Sequence, residues 1–150
     1  MHWRRTISVA AFVVLAIVVL ACAAKPLQLA AGRETAEVLK IEDSKLVLTY
    51  KFTQPIDPRS VTNGGTFIVS TDVVELVNGK ITFPDERTVR FESVQPASEL
   101  LPEGGGPVKV RIVGRSRFQE WVADKNGNPV DGDFDGTSGG DFVADYICRL

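Results

Sequence analysis

The chain has 150 residues, 44% of them hydrophobic, with a formal net charge of -2. That is one domain's worth of sequence, and its mild acidity lacks the clustered Lys and Arg that a nucleic-acid partner requires. The only histidine, His2, falls in the opening segment, which excludes a histidine-based active site or zinc site in the mature domain unless other ligands stand in.

Residues 1–24 read as an export signal with a helical apolar core. His2-Trp-Arg-Arg5 is a basic start, residues 7–20 are apolar apart from Ser8, and Ala21-Cys-Ala-Ala24 supplies small residues at the end. Three processing readings stand side by side. Val19-Leu-Ala-Cys22 resembles a bacterial lipobox, which would make Cys22 the lipidated first residue of a membrane-anchored lipoprotein. Ala21-Cys-Ala23 also fits an ordinary cleavage site that discards Cys22, and residues 7–24 are just long enough to remain as an uncleaved anchor. All three put the domain outside the cytoplasm, in the cell envelope as a lipoprotein or secreted or periplasmic. With Cys22 lipidated or removed, Cys148 is an odd thiol, expected to be buried in the last strand.

Residues 25–35 are small and polar around one proline, and read as a tether between export site and domain. The domain is expected over residues 36–150. Val38, Leu39 and Ile41 open a strand, Asp43-Ser44 is a turn, and Leu46, Leu48, Tyr50 and Phe52 then alternate with more polar neighbours, the period of a half-buried antiparallel strand. Two prolines interrupt at Gln54-Pro-Ile-Asp-Pro-Arg-Ser60, where Asp57 suits the cap and Pro58 the first position of a single helical turn. Short strands follow at residues 66–70 and 73–77. Asn78-Gly79 is a hairpin dipeptide leading to the arm 80–83, and residues 88–92 alternate again. A loop with three prolines spans residues 95–107, Val108, Val110 and Ile112 alternate, Trp121 is expected to plug one end of the core, and residues 142–147 close the chain. Seven to eight short strands with turn signals between them, and no apolar recurrence of helical period, predict an all-β antiparallel sandwich of immunoglobulin-like type.

Before the last strand lies Asp131-Gly-Asp-Phe-Asp-Gly136. Asp131, Asp133 and Asp135 suit the first, third and fifth positions of a calcium loop, Gly136 the sixth and the Thr137 carbonyl the seventh. The twelfth position is Phe142 rather than a glutamate and no flanking helices are expected, so this is not an EF-hand. Asp141, bending back, is the candidate for the missing ligand. Carboxylates so close repel one another unless a cation joins them, and the competing reading is a solvated acidic turn. Lys109, Arg111, Arg115 and Arg117 form a basic strip near Trp121. Either it contacts an acidic glycan, with Trp121 stacking on a sugar, or it is a solvated strand face beside a core tryptophan.

Four segments in order resemble bacterial immunoglobulin-like domains of S-layer and surface proteins: Phe52-Thr-Gln-Pro-Ile-Asp-Pro-Arg-Ser-Val61, Asn63-Gly-Gly-Thr-Phe67, Arg87-Thr-Val-Arg-Phe91 and Asp124-Lys-Asn-Gly-Asn-Pro-Val-Asp131. Residues 101–108 depart from the family's turn. The resemblance implies a non-catalytic structural or adhesive module whose partners are other envelope proteins or glycans. The alternative is a carbohydrate-binding module on a similar sandwich, which would require Trp121 and a second aromatic exposed on a common face. No nucleophile–base pair is legible, so no enzymatic role is expected.

Overall fold

The computed structural model describes residues 25–30 and 38–150. The export signal and Cys22 lie outside these residues; among those described, no helix is long and apolar enough to cross a membrane. Among the described residues, seven strands form two antiparallel sheets: β1 (Leu39–Glu42), β2 (Lys45–Lys51), β5 (Thr88–Pro96) and β4 (Gly79–Asp85) in that order, and β3 (Phe67–Thr71), β6 (Gly106–Ile112) and β7 (Phe142–Cys148) in the other.

Period-two alternation builds both layers. Leu46, Leu48, Tyr50 and Phe52 all point inward and are at most 1% exposed. Phe67 and Val69 of β3 and Val108, Val110 and Ile112 of β6 face them from the other sheet. The aromatic rings lock the layers together. Tyr50 meets Phe67 and Phe142 edge-on at 5.8 and 5.7 Å, and Phe67 stacks on Phe91 at 5.8 Å. Such pairs each add about 1 kcal/mol beyond the area they bury. The buried Tyr50 hydroxyl meets the Tyr146 hydroxyl at 2.9 Å, a polar tie between the sheets.

The connections follow their turn chemistry. Asp43 and Ser44 both take positive φ, 47° and 67°, the geometry of a tight hairpin. Asp57 caps the 3-10 turn Pro58–Ser60 by accepting from the Arg59 amide at 3.0 Å, with Pro58 in its first turn. Cys148 ends β7 as a free, buried thiol, 6% exposed.

Four expectations need correction. Residues 25–30 are not a tether: Leu27 and Leu29 are 1% and 3% exposed within the core, and Gln28 O accepts from the Thr53 amide at 2.8 Å. Alternating leucines bury as a strand would, whatever the polarity around them. Residues 73–77 form no strand but cross from β3 to β4, with the Val77 amide donating to Val69 O at 2.8 Å. Nor is Gly79 a hairpin residue. It opens β4, and a Cβ there would lie 2.1 Å from the Phe91 ring, so close packing rather than a turn demands glycine. A four-residue helix, α1 (Ala97–Leu100), also interrupts the expected loop; it is too short for a helical period to register in the sequence.

Candidate metal centre

The acidic loop joins the β6 side of the molecule to β7 and is closed by its own backbone. The Gly139 amide donates to Val130 O and the Gly132 amide to Gly140 O, both at 3.1 Å. Two glycines make this possible. A Cβ on Gly132 would sit 2.2 Å from the Phe142 nitrogen, and one on Gly140 would sit 2.5 Å from the Asp133 carboxyl carbon. Phe134 takes a positive φ of 63°, a costly backbone for an aromatic residue, and its ring packs edge-on against Phe142 at 6.3 Å. The loop is thereby pinned to the core at its centre.

Asp131 is fully buried. Its carboxylate accepts from Gln28 Nε2 at 2.7 Å, the Asp135 amide at 3.1 Å and the Gly136 amide at 3.0 Å, while its own amide donates to Leu27 O at 2.8 Å. Burial pushes this carboxyl up; the hydrogen bonds from Gln28 and the Gly136 amide, the contact with Asp133 and the bond from the Asp135 amide outweigh it and hold the group below the ordinary carboxylate value. Asp133 and Asp135 are exposed. Asp135 Oδ1 accepts from the Thr137 amide at 2.7 Å, and Thr137 lies on the exposed rim.

One carboxylate oxygen from each of Asp131, Asp133 and Asp135 falls within 4.8 Å of the others. Oxygens bound about 2.4 Å from one calcium ion lie at most about 4.8 Å apart, so this spacing fits a shared hard cation. Each carboxylate oxygen carries two lone pairs, so the bonds already made to Asp131 leave it able to coordinate. The arrangement is open to solvent on the Asp133 and Asp135 side and anchored on the other.

Asp141 does not join them. Its Oδ1 accepts from the Gly114 amide at 2.9 Å and the Arg115 amide at 3.1 Å, and its Oδ2 pairs with Arg111. Burial again raises this carboxyl, and the Arg115 and Gly114 amides together with Arg111 bring it below the ordinary value. A carboxylate beside a guanidinium and two free amides is better stabilised there than against three other acids. Gln28, which fixes Asp131, carried no signal of its own; the bracketing Leu27 and Leu29 were the legible sign that this segment packs.

Two clefts adjoin on the neighbouring loop. One, of about 570 Å³, is lined by Trp121, Asp57, Ser60 and Glu120. Trp121 is half-buried beside it rather than plugging the core, and its indole N–H points to Gly127 O at 3.3 Å. The other, of about 600 Å³, is lined by Arg111, Arg115, Arg117 and Phe118. Phe118 is 71% exposed.

No protein-family model matches the chain, and a search of curated proteins finds no relative.

Proposed function

We propose that the chain is an exported, non-catalytic immunoglobulin-like module, with a structural or adhesive role in the cell envelope, whose acidic loop takes a calcium ion. The observation that carries this reading is strand order. Lettered A to G in chain order, one sheet runs A-B-E-D and the other C-F-G, the arrangement of a constant-type immunoglobulin domain. The four sequence segments that resemble surface-protein domains agree with it. The donor set of Asp131, Asp133 and Asp135 supports the cation, because carboxylate oxygens are what calcium prefers. Remaining ligands would come from backbone carbonyls and water.

The polar groups of the Trp121 cleft support a non-catalytic role. Ser60 Oγ donates to Asp57 O at 2.7 Å and accepts from the Ala123 amide at 3.0 Å, and the Asp57 carboxylate is held by Arg59. Neither is poised as a nucleophile or base.

The experiment is expression of the full chain in a bacterial host, followed by fractionation, palmitate labelling and surface protease treatment. The reading predicts envelope localisation, and labelling lost in Cys22→Ser if the lipoprotein route is used. A cytoplasmic, unprocessed product would contradict it. A carbohydrate-binding role is the second reading, favoured by the placement of Trp121 and Phe118 in adjoining clefts on one loop.

A further inference from the structure

The cleft beside Phe118 has a composition that the structural reading does not use. It lies over the outer face of β3 and β6, where Ile68 and Arg111 are directly opposed across the ladder. The segment after β6 supplies Arg115, Arg117 and Phe118, and Glu120 stands at its edge. Arg111 is paired with Asp141, whereas Arg115 and Arg117 have no acidic partner among the described residues. The Arg117 guanidinium sits 4.8 Å from the centre of the Phe118 ring, which orients its donors and leaves the ring largely in solvent. In a chain whose formal charge is -2, cations and an exposed aromatic have been gathered at one place.

From this we infer that the cleft binds an acidic saccharide, with its carboxylate or phosphate held by Arg115 and Arg117 and a sugar ring against Phe118. Guanidinium forks match planar or tetrahedral oxyanions with paired hydrogen bonds. An aromatic face offers an apolar platform at low entropic cost. Glu120 accepts hydroxyl hydrogens, which a saccharide carries and a bare anion does not. The cavity volume lies within the range of small-ligand sites. An acidic peptide fits less well. It would lie across paired strands rather than along an open edge, so its backbone would find no ladder to join. The inference deepens the adhesive reading by naming a ligand class and rests on it for an external ligand. Strand order and the acidic loop play no part in the cleft chemistry, so its failure would leave both standing.

The test is calorimetric titration of the purified full chain with trigalacturonate, maltotriose phosphate, neutral maltotriose and hexa-aspartate. Binding by trigalacturonate or maltotriose phosphate, with none by maltotriose, is the expected result, and which of the two binds identifies the anionic group. Arg115→Gln and Arg117→Gln should each weaken it about tenfold, the loss of one charge-assisted hydrogen-bonded contact. Phe118→Ala should weaken the saccharide but not free inorganic phosphate. Lys80→Gln, the same charge change on an exposed β4 position of the other sheet, should leave affinity unchanged. Equal losses in all three charge variants would reduce the effect to net charge and overturn the site. So would absence of binding by both anionic saccharides, equal binding of maltotriose, or tighter binding of hexa-aspartate.

Discussion

Two aspartate turns precede β7, and they differ in one chemical respect. In the first, Asp124 is followed at alternate positions by Asn126 and Asn128; in the second, Asp131 is followed by Asp133 and Asp135. Both leading aspartates are buried, 6% and 0% exposed. Asp124 accepts from the Asn126 amide at 2.8 Å, the Asn128 amide at 2.9 Å and Asn128 Nδ2 at 2.9 Å. Asp131 accepts from two loop amides and from Gln28. The first turn is therefore complete in itself, with neutral amides donating where the second places further carboxylates. Those extra acids bring further carboxylates beside a buried one, which raises the electrostatic cost of the loop. A cation bound between them would offset that cost, and the first turn serves as a natural control inside the same molecule.

The largest effects should come from the leading aspartates. Asp131→Ala and Asp124→Ala each strand three donors, and each should lower the unfolding free energy by about 3 kcal/mol in denaturant melts without added metal. Calcium should then separate them, widening the deficit of Asp131→Ala and leaving that of Asp124→Ala unchanged. Equal deficits with and without calcium would erase the distinction between the turns.

Leu27→Ala should cost about 2 to 3 kcal/mol, the ordinary penalty for emptying a buried leucine site. It should also loosen Asp131, whose amide bonds to Leu27 O and whose carboxylate is held by Gln28. A neutral result would return this segment to the status of a tether.

Acid should act on both turns. Asp124, Asp131 and Asp141 all lie below the ordinary value of 3.8 in the folded chain. For Asp124, burial raises the group, but the Asn128 side chain and the loop amides outweigh it. A depressed carboxyl means that the unfolded chain binds more protons in that window, so the stabilisation is complete above the unfolded value and fades as pH falls through the folded ones. Stability should therefore drop steeply below about pH 4, and Asp124→Asn should remove part of that drop. A flat profile from about pH 5 down to about pH 2 would contradict the assignment.

The smallest effect concerns repulsion alone. Asp133→Asn with Asp135→Asn gives the second turn the composition of the first. Without calcium this double variant should melt slightly higher than the parent, by about 2 °C, because like charges at the surface cost only about 0.5 kcal/mol.

The sandwich was legible because its code is short-ranged. Alternation at Leu46, Leu48, Tyr50 and Phe52, the Asp57-Pro58 cap and the Asp43-Ser44 turn each depend on neighbours in sequence. The acids of the second turn were legible for the same reason. Asp141 was misassigned because its partner, Arg111, is brought to it by the β6–β7 ladder, a contact that no local pattern announces. Gly79 was misread because the demand for glycine comes from the Phe91 ring on a neighbouring strand. Phe118 is not legible as a site residue, since an exposed aromatic in a loop looks the same in sequence as a buried one.

The most direct test of the acidic loop is the melting temperature of the full chain in EDTA and in calcium at about 10 mM, for the parent and for the Asp133→Asn, Asp135→Asn variant. Affinity typical of extracellular calcium modules, with Kd near about 0.1 mM, would stabilise the parent by about 2.7 kcal/mol, or about 10 °C. The account predicts that rise for the parent and none for the variant. An unchanged parent, or an equal rise in both, would contradict it and leave the second turn as a solvated acidic loop.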